Sequence, residues 1–198
     1  MKQLVLATRN QHKVRELAAL LRGLEIRLHT LDDFPHVKEV VEDGTTLEAN
    51  ALKKAREVFR QTTLPALADD SGLEVYYLND EPGVYSSRYA GPGASYADNC
   101  RKLLERMRGV PPRRRAAQFR CVIAFVAPGV EKVVEGRVMG VITEDPRGSG
   151  GFGYDPIFIP SGQHRTLAEL SPDFKNTLSH RAKAVEKMRL EMTHYFGK

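Results

Sequence analysis

Two pairs of adjacent carboxylates, Glu42-Asp43 and Asp69-Asp70, are the residues of this chain best suited to chemistry. Neighbouring carboxylates beside apolar residues repel one another unless a cation or hydrogen-bond donors compensate them. Oxygen ligands of this kind suit magnesium, which takes one or two carboxylates and completes its shell with water and substrate phosphates. For Glu42-Asp43, complementing the dipole of the helix that follows is an equal reading. For Asp69-Asp70 the alternative is a polar turn, which the apolar flanks disfavour.

Three further segments carry polar groups at positions where ligands bind. Thr8-Arg9-Asn10-Gln11-His12-Lys13 lies where an apolar strand meets a helix N-terminus, whose unpaired amides and dipole attract phosphate. It is not a Walker loop, because GxxxxGK[ST] is absent, and a capped helix with a solvated Lys13 remains open. Gly148-Ser149-Gly150-Gly151-Phe152-Gly153 satisfies GxGxxG, but Tyr154-Asp155-Pro156 and an extended run follow instead of a helix, so the dinucleotide geometry is missing. These glycines are expected to let the backbone approach a flat ligand beside Phe152. Lys175 and Ser179-His180-Arg181 precede the last helix; with Ser179 as cap, His180 and Arg181 oppose its dipole, a misfit that an anion or a carbonyl-rich base would relieve.

The elements that must position these residues follow from periodicity. Gln3 to Ala7 reads as a buried strand, and Val14, Leu17, Ala18 and Leu21 stripe a helix over residues 13–21. A second helix is predicted from Thr45, with Glu48 completing a capping box, and ends before Pro65. Residues 66–68 and 73–78 read as strands on either side of Asp69-Asp70-Ser71-Gly72. Ser95 with Asp98 caps a helix to about Met107, strands follow over 118–127 and 132–143, residues 144–153 form a loop, and 156–159 are extended. Val185, Met188, Met192, Tyr195 and Phe196 stripe a final helix. Strands alternating with helices, with a strand-rich middle, predict an α/β fold on a mixed sheet with flanking helices, as one domain over 1–198 without repeat or linker.

The 198 residues suffice for a core without staples, and 41% hydrophobic with 28% charged residues is ordinary globular usage. Cys100 and Cys121 stand in no CxxC spacing and are expected to be buried thiols. No run approaches a membrane span, and the N-terminal apolar run is too short for a signal peptide, so a cytoplasmic protein is expected. A net charge of +5 favours acidic partners, either nucleic acid or a small polyphosphate. The run Arg113-Arg114-Arg115 is expected to be a solvated loop.

In order, the blocks LATRNQHKVRELAALL, EDGTTLEANALKKA, ADDSGLEV, PGVYSSRYAG, GGFGYDPIF and LSHRAKA resemble the motifs of the inosine/xanthosine triphosphate pyrophosphatases, the Ham1-like family, over about Lys2 to Ala184. The resemblance implies two lobes around a long mixed sheet with the active site in the cleft between them, and a homodimer. It implies magnesium-dependent hydrolysis of inosine, deoxyinosine or xanthosine triphosphate to the monophosphate and pyrophosphate. Matched by motif, Thr8, Arg9, Asn10, Gln11, His12 and Lys13 hold the phosphates, and Glu42 and Asp70 hold the metal. Asp70 also takes the proton of the attacking water, supported by Asp69, and Ser71 lies against the substrate. Phe152, Gly153, Tyr154 and Asp155 form the base pocket, completed by Lys175, His180 and Arg181. A nucleic-acid-binding module is the alternative of another class, which the acidic pairs oppose; a pyrophosphatase of modified pyrimidine nucleotides is the alternative within enzymes.

Overall fold

A computed structural model of the chain describes residues 2–197. The apolar N-terminal run forms β1 (Lys2–Leu6), and the chain turns into α1 (Gln11–Leu20) where the Asn10 side chain accepts hydrogen bonds from the amides of His12 and Lys13. After β2 (Ile26–His29), α2 (Leu47–Thr62) starts from Thr46, one residue past the predicted cap, with Thr46 Oγ1 accepting from the Ala49 amide. The helix buries Leu47, Ala51, Ala55 and Val58 on one stripe and ends at Thr63 in the left-handed region.

One continuous strand, β3 (Ala66–Val75), replaces the two strands and polar turn predicted here, and it is buried along nearly its whole length. The acidic pair therefore lies inside a buried strand, where local pattern reading places an interruption. Then come β4 (Glu81–Pro82), α3 (Tyr96–Arg106) with the predicted Ser95–Asp98 capping box, β5 (Ala116–Ala127) and β6 (Val130–Ile142). The glycine-rich segment leads into a short 3-10 turn at Asp155–Ile157 and β7 (Phe158–Pro160), so no helix follows the GxGxxG match. Two helices close the chain, α4 (Pro172–Leu178) and α5 (His180–Phe196), with Ser179 between them.

The strands pair in the order β2-β1-β3-β5-β6-β7, with β4 on β3. β1 runs parallel to β2 and β3, while β4 and β7 pair antiparallel to β3 and β6, which makes the sheet mixed. The α/β fold with flanking helices is thus as the sequence predicts. The chain divides into two compact units, one of residues up to Asp70, Cys121–Gly136 and Arg181 onward, the other of Ser71–Arg120 and Arg137–His180. Each has its own core. In the first, Leu4, Leu6, Leu17, Leu67, Ile123, Phe125, Val185 and Met188 pack together; in the second, Leu73, Val75, Leu103, Met107, Phe119, Ile142, Tyr154 and Phe158 do. Among the described residues no helix is long and apolar enough to cross a membrane.

Candidate functional site

In the first unit, polar chemistry gathers around the acidic pair of β3. Asp69 is fully buried, and each of its oxygens meets a cation. Lys13, from the first turn of α1, forms an ion pair with Oδ1, and Arg181, from the first turn of α5, donates Nε to Oδ2 at 2.7 Å. The Cys121 thiol also donates to Oδ2, at 3.2 Å. Burial alone would push the Asp69 carboxyl up, but Arg181 and Lys13 override it and hold the group well below the usual carboxylate range. Asp69 is therefore firmly ionised, a fixed anchor for the N-termini of two helices.

Asp70 differs. One oxygen accepts from Lys54 at 3.0 Å, while Oδ2 is buried with no hydrogen-bond partner among the described residues. Burial pushes its carboxyl above the usual value, more than Lys54 and Lys13 offset. The two adjacent aspartates are thus shifted in opposite directions, Asp69 down by its two cations and Asp70 up by burial. Lys54 Nζ also donates to Glu42 Oε1 at 2.5 Å and to the Asp69 carbonyl at 2.7 Å. Burial works against its charge, but Asp70 and Glu42 keep it protonated above the ordinary lysine value. Asp43 does not join this group; it pairs with exposed Lys53 at 2.6 Å.

Glu42 and Asp70 form a hard oxygen donor pair around one cationic position, and the bare Oδ2 of Asp70 adds an unused acceptor. Among the described residues no three His, Cys, Asp or Glu side chains converge to form a complete metal cage. A pair of carboxylates with open positions fits a cation that brings water and phosphate oxygens as its remaining ligands.

The polar junction before α1 is largely engaged within the protein. Asn10 caps the helix at 3.0 and 3.3 Å from the His12 and Lys13 amides, Thr8 Oγ1 accepts from the Asn10 amide at 3.2 Å, and Arg9 donates to the Val37 carbonyl at 2.7 Å. Gln11 reaches Asp32 at 3.3 Å and His12 meets Arg15 at 3.1 Å. The helix is capped, but Lys13 is held on a buried aspartate, not solvated. Arg181 likewise differs from its expected posture: its guanidinium is 1% exposed and bonds Asp69 and Glu16, the latter at 2.5 Å. The misfit of an arginine at a helix N-terminus is relieved by the protein's own carboxylates.

In the second unit, Asp155 organises the glycine-rich loop. Its Oδ2 accepts from the Phe152 amide at 2.8 Å and from Lys175 Nζ at 2.5 Å, both partners of the ion pair being buried. Lys175 Nζ lies 4.9 Å from the centre of the Phe152 ring, and Tyr96 packs on that ring at 5.9 Å. Gly151, at φ +68°, presses on the Asp155 carboxylate, where no side chain fits. Gly153 lends its carbonyl to the Cys100 thiol at 3.3 Å. Tyr154 is a core residue whose hydroxyl donates to the Ser86 carbonyl at 2.9 Å. His180 is buried, with its ring stacked on Phe119 at 4.7 Å and 10°, and Ser71 is half-buried on β3. Beside these loops, Tyr96, Cys100, Arg101, Pro146, Gly151 and Phe152 line an open cavity of about 1010 Å³.

The motif reading assigns no role to four contributors: Glu16, Asn50 and Lys54, which lie inside the matching blocks, and Phe119, which lies outside them. Lys54 and Asn50 carry a usable signal, because both fall on the buried stripe of α2, where polar residues are unexpected. Asn50 Oδ1 accepts from the Gly44 amide at 2.8 Å and so fixes the loop that carries Glu42.

The sequence matches the Ham1 family over residues 4–191. It is 52% identical over 186 residues to a Geobacter sulfurreducens protein named dITP/XTP pyrophosphatase, covering 93% of this chain and 94% of that one. A Bacillus licheniformis protein of the same name is 47% identical over 191 residues, 95% of this chain and 96% of its own. Among solved structures, a HAM1 protein from Coxiella burnetii aligns with a TM-score of 0.89 at 44% identity, over 98% of this chain and all (100%) of that one. The Staphylococcus aureus Ham1 protein aligns at 0.87 and 36%, again over 98% and 100%.

Proposed function

This chain belongs to the Ham1 family, and from that premise we propose that it hydrolyses non-standard purine nucleoside triphosphates, those of inosine, deoxyinosine and xanthosine, to the monophosphate and pyrophosphate. The observation that carries the reading is the Glu42–Lys54–Asp70 group, two carboxylates arranged about one cationic position with a bare buried oxygen on Asp70. Magnesium is the proposed metal, held by Glu42 and Asp70. When bound, it neutralises phosphate oxygens and draws charge from the bond being broken.

The chain's own residues supply the rest. Asp70 accepts the proton of the water that attacks the phosphoanhydride between the α- and β-phosphates, a role its raised pKa favours. Lys13, already at the acidic strand, adds positive charge for the phosphates with the Thr8–His12 segment. Asp69 does not transfer protons; ionised and clamped, it fixes Lys13 and Arg181. No covalent intermediate is needed.

Base choice we assign to the second unit's residues, Phe152 as a face, with the Gly153 to Asp155 backbone, Lys175 and His180 as donors. Donors suited to a 6-oxo group leave adenine's 6-amino group without an acceptor, and each buried unpaired group costs about 1–3 kcal/mol. Arg181, carried into this pocket by motif, acts on our reading mainly through Asp69. Ser71 we retain as a substrate contact. The same reading takes the protein as a cytoplasmic homodimer of a one-domain chain, acting on free nucleotides and not on nucleic acid.

The test is pyrophosphate release from inosine, xanthosine, adenosine and cytidine triphosphates side by side, with and without magnesium. Metal-dependent turnover of the first two, far above the others, is the expected pattern. Preference for cytidine triphosphate, or retention of nucleic acid without turnover, would replace the proposal.

A further inference from the structure

We propose that Lys54 is a resident counter-cation: its ammonium occupies the position between Glu42 and Asp70, excludes a bare divalent cation, and yields only to a metal that arrives with the nucleotide's phosphates. The proposal rests on the assignment of Glu42 and Asp70 as metal ligands. An ammonium has three protons to donate, and Lys54 Nζ has three acceptors, Glu42 Oε1 at 2.5 Å, the Asp69 carbonyl at 2.7 Å and Asp70 Oδ1 at 3.0 Å. Its donors are fully used, and both carboxylates turn an oxygen toward it.

A metal bound by the same two carboxylates must take those oxygens from the ammonium. Lys54 stands on the buried stripe of α2 and is 7% exposed, so its charge has no easy path to solvent. A bare cation would be brought against a trapped positive charge with no anion to receive it. A metal–triphosphate complex brings phosphate oxygens that can accept the displaced protons. The neighbouring Lys53 is the natural control: it pairs with Asp43 at 2.6 Å, but both side chains are exposed, and water screens the pair.

The experiment measures manganese binding, by the electron paramagnetic resonance of free Mn²⁺, and thermal melting with and without Mn²⁺. The proteins are the intact chain and its Lys54→Met, Lys53→Met and Asp70→Asn forms. Without nucleotide, Lys54→Met should bind Mn²⁺ about tenfold or more tightly than the parent, a usual size for coupling between sites. It should melt below the parent in chelator and gain more from Mn²⁺ than the parent does. Inosine α,β-methylene triphosphate should strengthen Mn²⁺ binding more in the parent than in Lys54→Met, and Lys53→Met should behave as the parent. Equal or weaker Mn²⁺ binding by Lys54→Met would overturn the proposal, as would a variant that Mn²⁺ cannot restore to a folded state. If Asp70→Asn left Mn²⁺ binding with the analogue unchanged, the metal assignment itself would fall.

Discussion

Lys175 donates to Asp155 across 2.5 Å, and the two charges are buried together beneath the Phe152 loop. Removing one member of a buried pair strands the other, at a cost of about 3–5 kcal/mol. Lys175→Met should therefore destabilise the protein by about that amount in urea unfolding. Adding Asp155→Asn should recover part of the loss, because the stranded charge disappears while the amide oxygen can still accept from Phe152. A double variant no more stable than Lys175→Met would mean that the lysine acts through packing alone.

The Asp70→Asn change tests the proton acceptor. It keeps the shape of the side chain and removes both a basic oxygen and an anionic metal ligand, so turnover of inosine triphosphate should fall by at least about a hundredfold. Circular dichroism should show the native fold. Turnover at the parent's rate would take Asp70 out of the chemistry.

Arg181 gives a sharper discrimination between roles. Because Nε and one terminal nitrogen are committed to Asp69 and Glu16, Arg181→Met should lower kcat/KM for inosine and adenosine triphosphates by similar factors. Its unfolding free energy should fall by about 3–5 kcal/mol, the usual penalty for uncovering buried carboxylates. Loss confined to the inosine substrate, compressing the ratio about tenfold or more, would return Arg181 to base reading.

The two cysteines offer a chemical probe of both units, Cys121 in the first and Cys100 in the second. Burial, aided by the Asp155 carboxylate, pushes the Cys100 thiol up to about 12, so at pH 8 only roughly one part in ten thousand is thiolate. Both cysteines are buried. Native protein exposed to iodoacetamide at pH 8 should show almost no label by mass spectrometry, whereas urea should expose both thiols. Rapid native labelling of Cys100 would show that the reagent reaches the thiol from the cavity it lines.

Much of this was open to reading from the chain. The strand, loop and helix at the N-terminus, the Ser95 cap and the apolar stripe of α2 are local patterns, and each stands within a residue or two of its predicted place. β3 is different. A carboxylate pair in a buried strand is favourable only with compensating cations, and these come from Lys13, Lys54 and Arg181, between 16 and 112 residues from their partners. No local window contains that compensation, so the pair reads as a turn. Likewise, the motif places Arg181 beside a ligand, whereas its side-chain partners are set by the packing of α5 against residues far earlier in sequence.

Arg181 reaches back 165 residues to Glu16 and 112 to Asp69. During synthesis Asp69 emerges long before this partner, so a nascent chain holds Lys13 and Lys54 but not Arg181 to balance the acidic pair. The acidic strand β3 acquires its full set of ion pairs only after the segment that begins α5 has left the ribosome. A ribosome stalled before residue 181 would display a chain whose first unit has neither its last helix nor the Arg181 partner of Asp69.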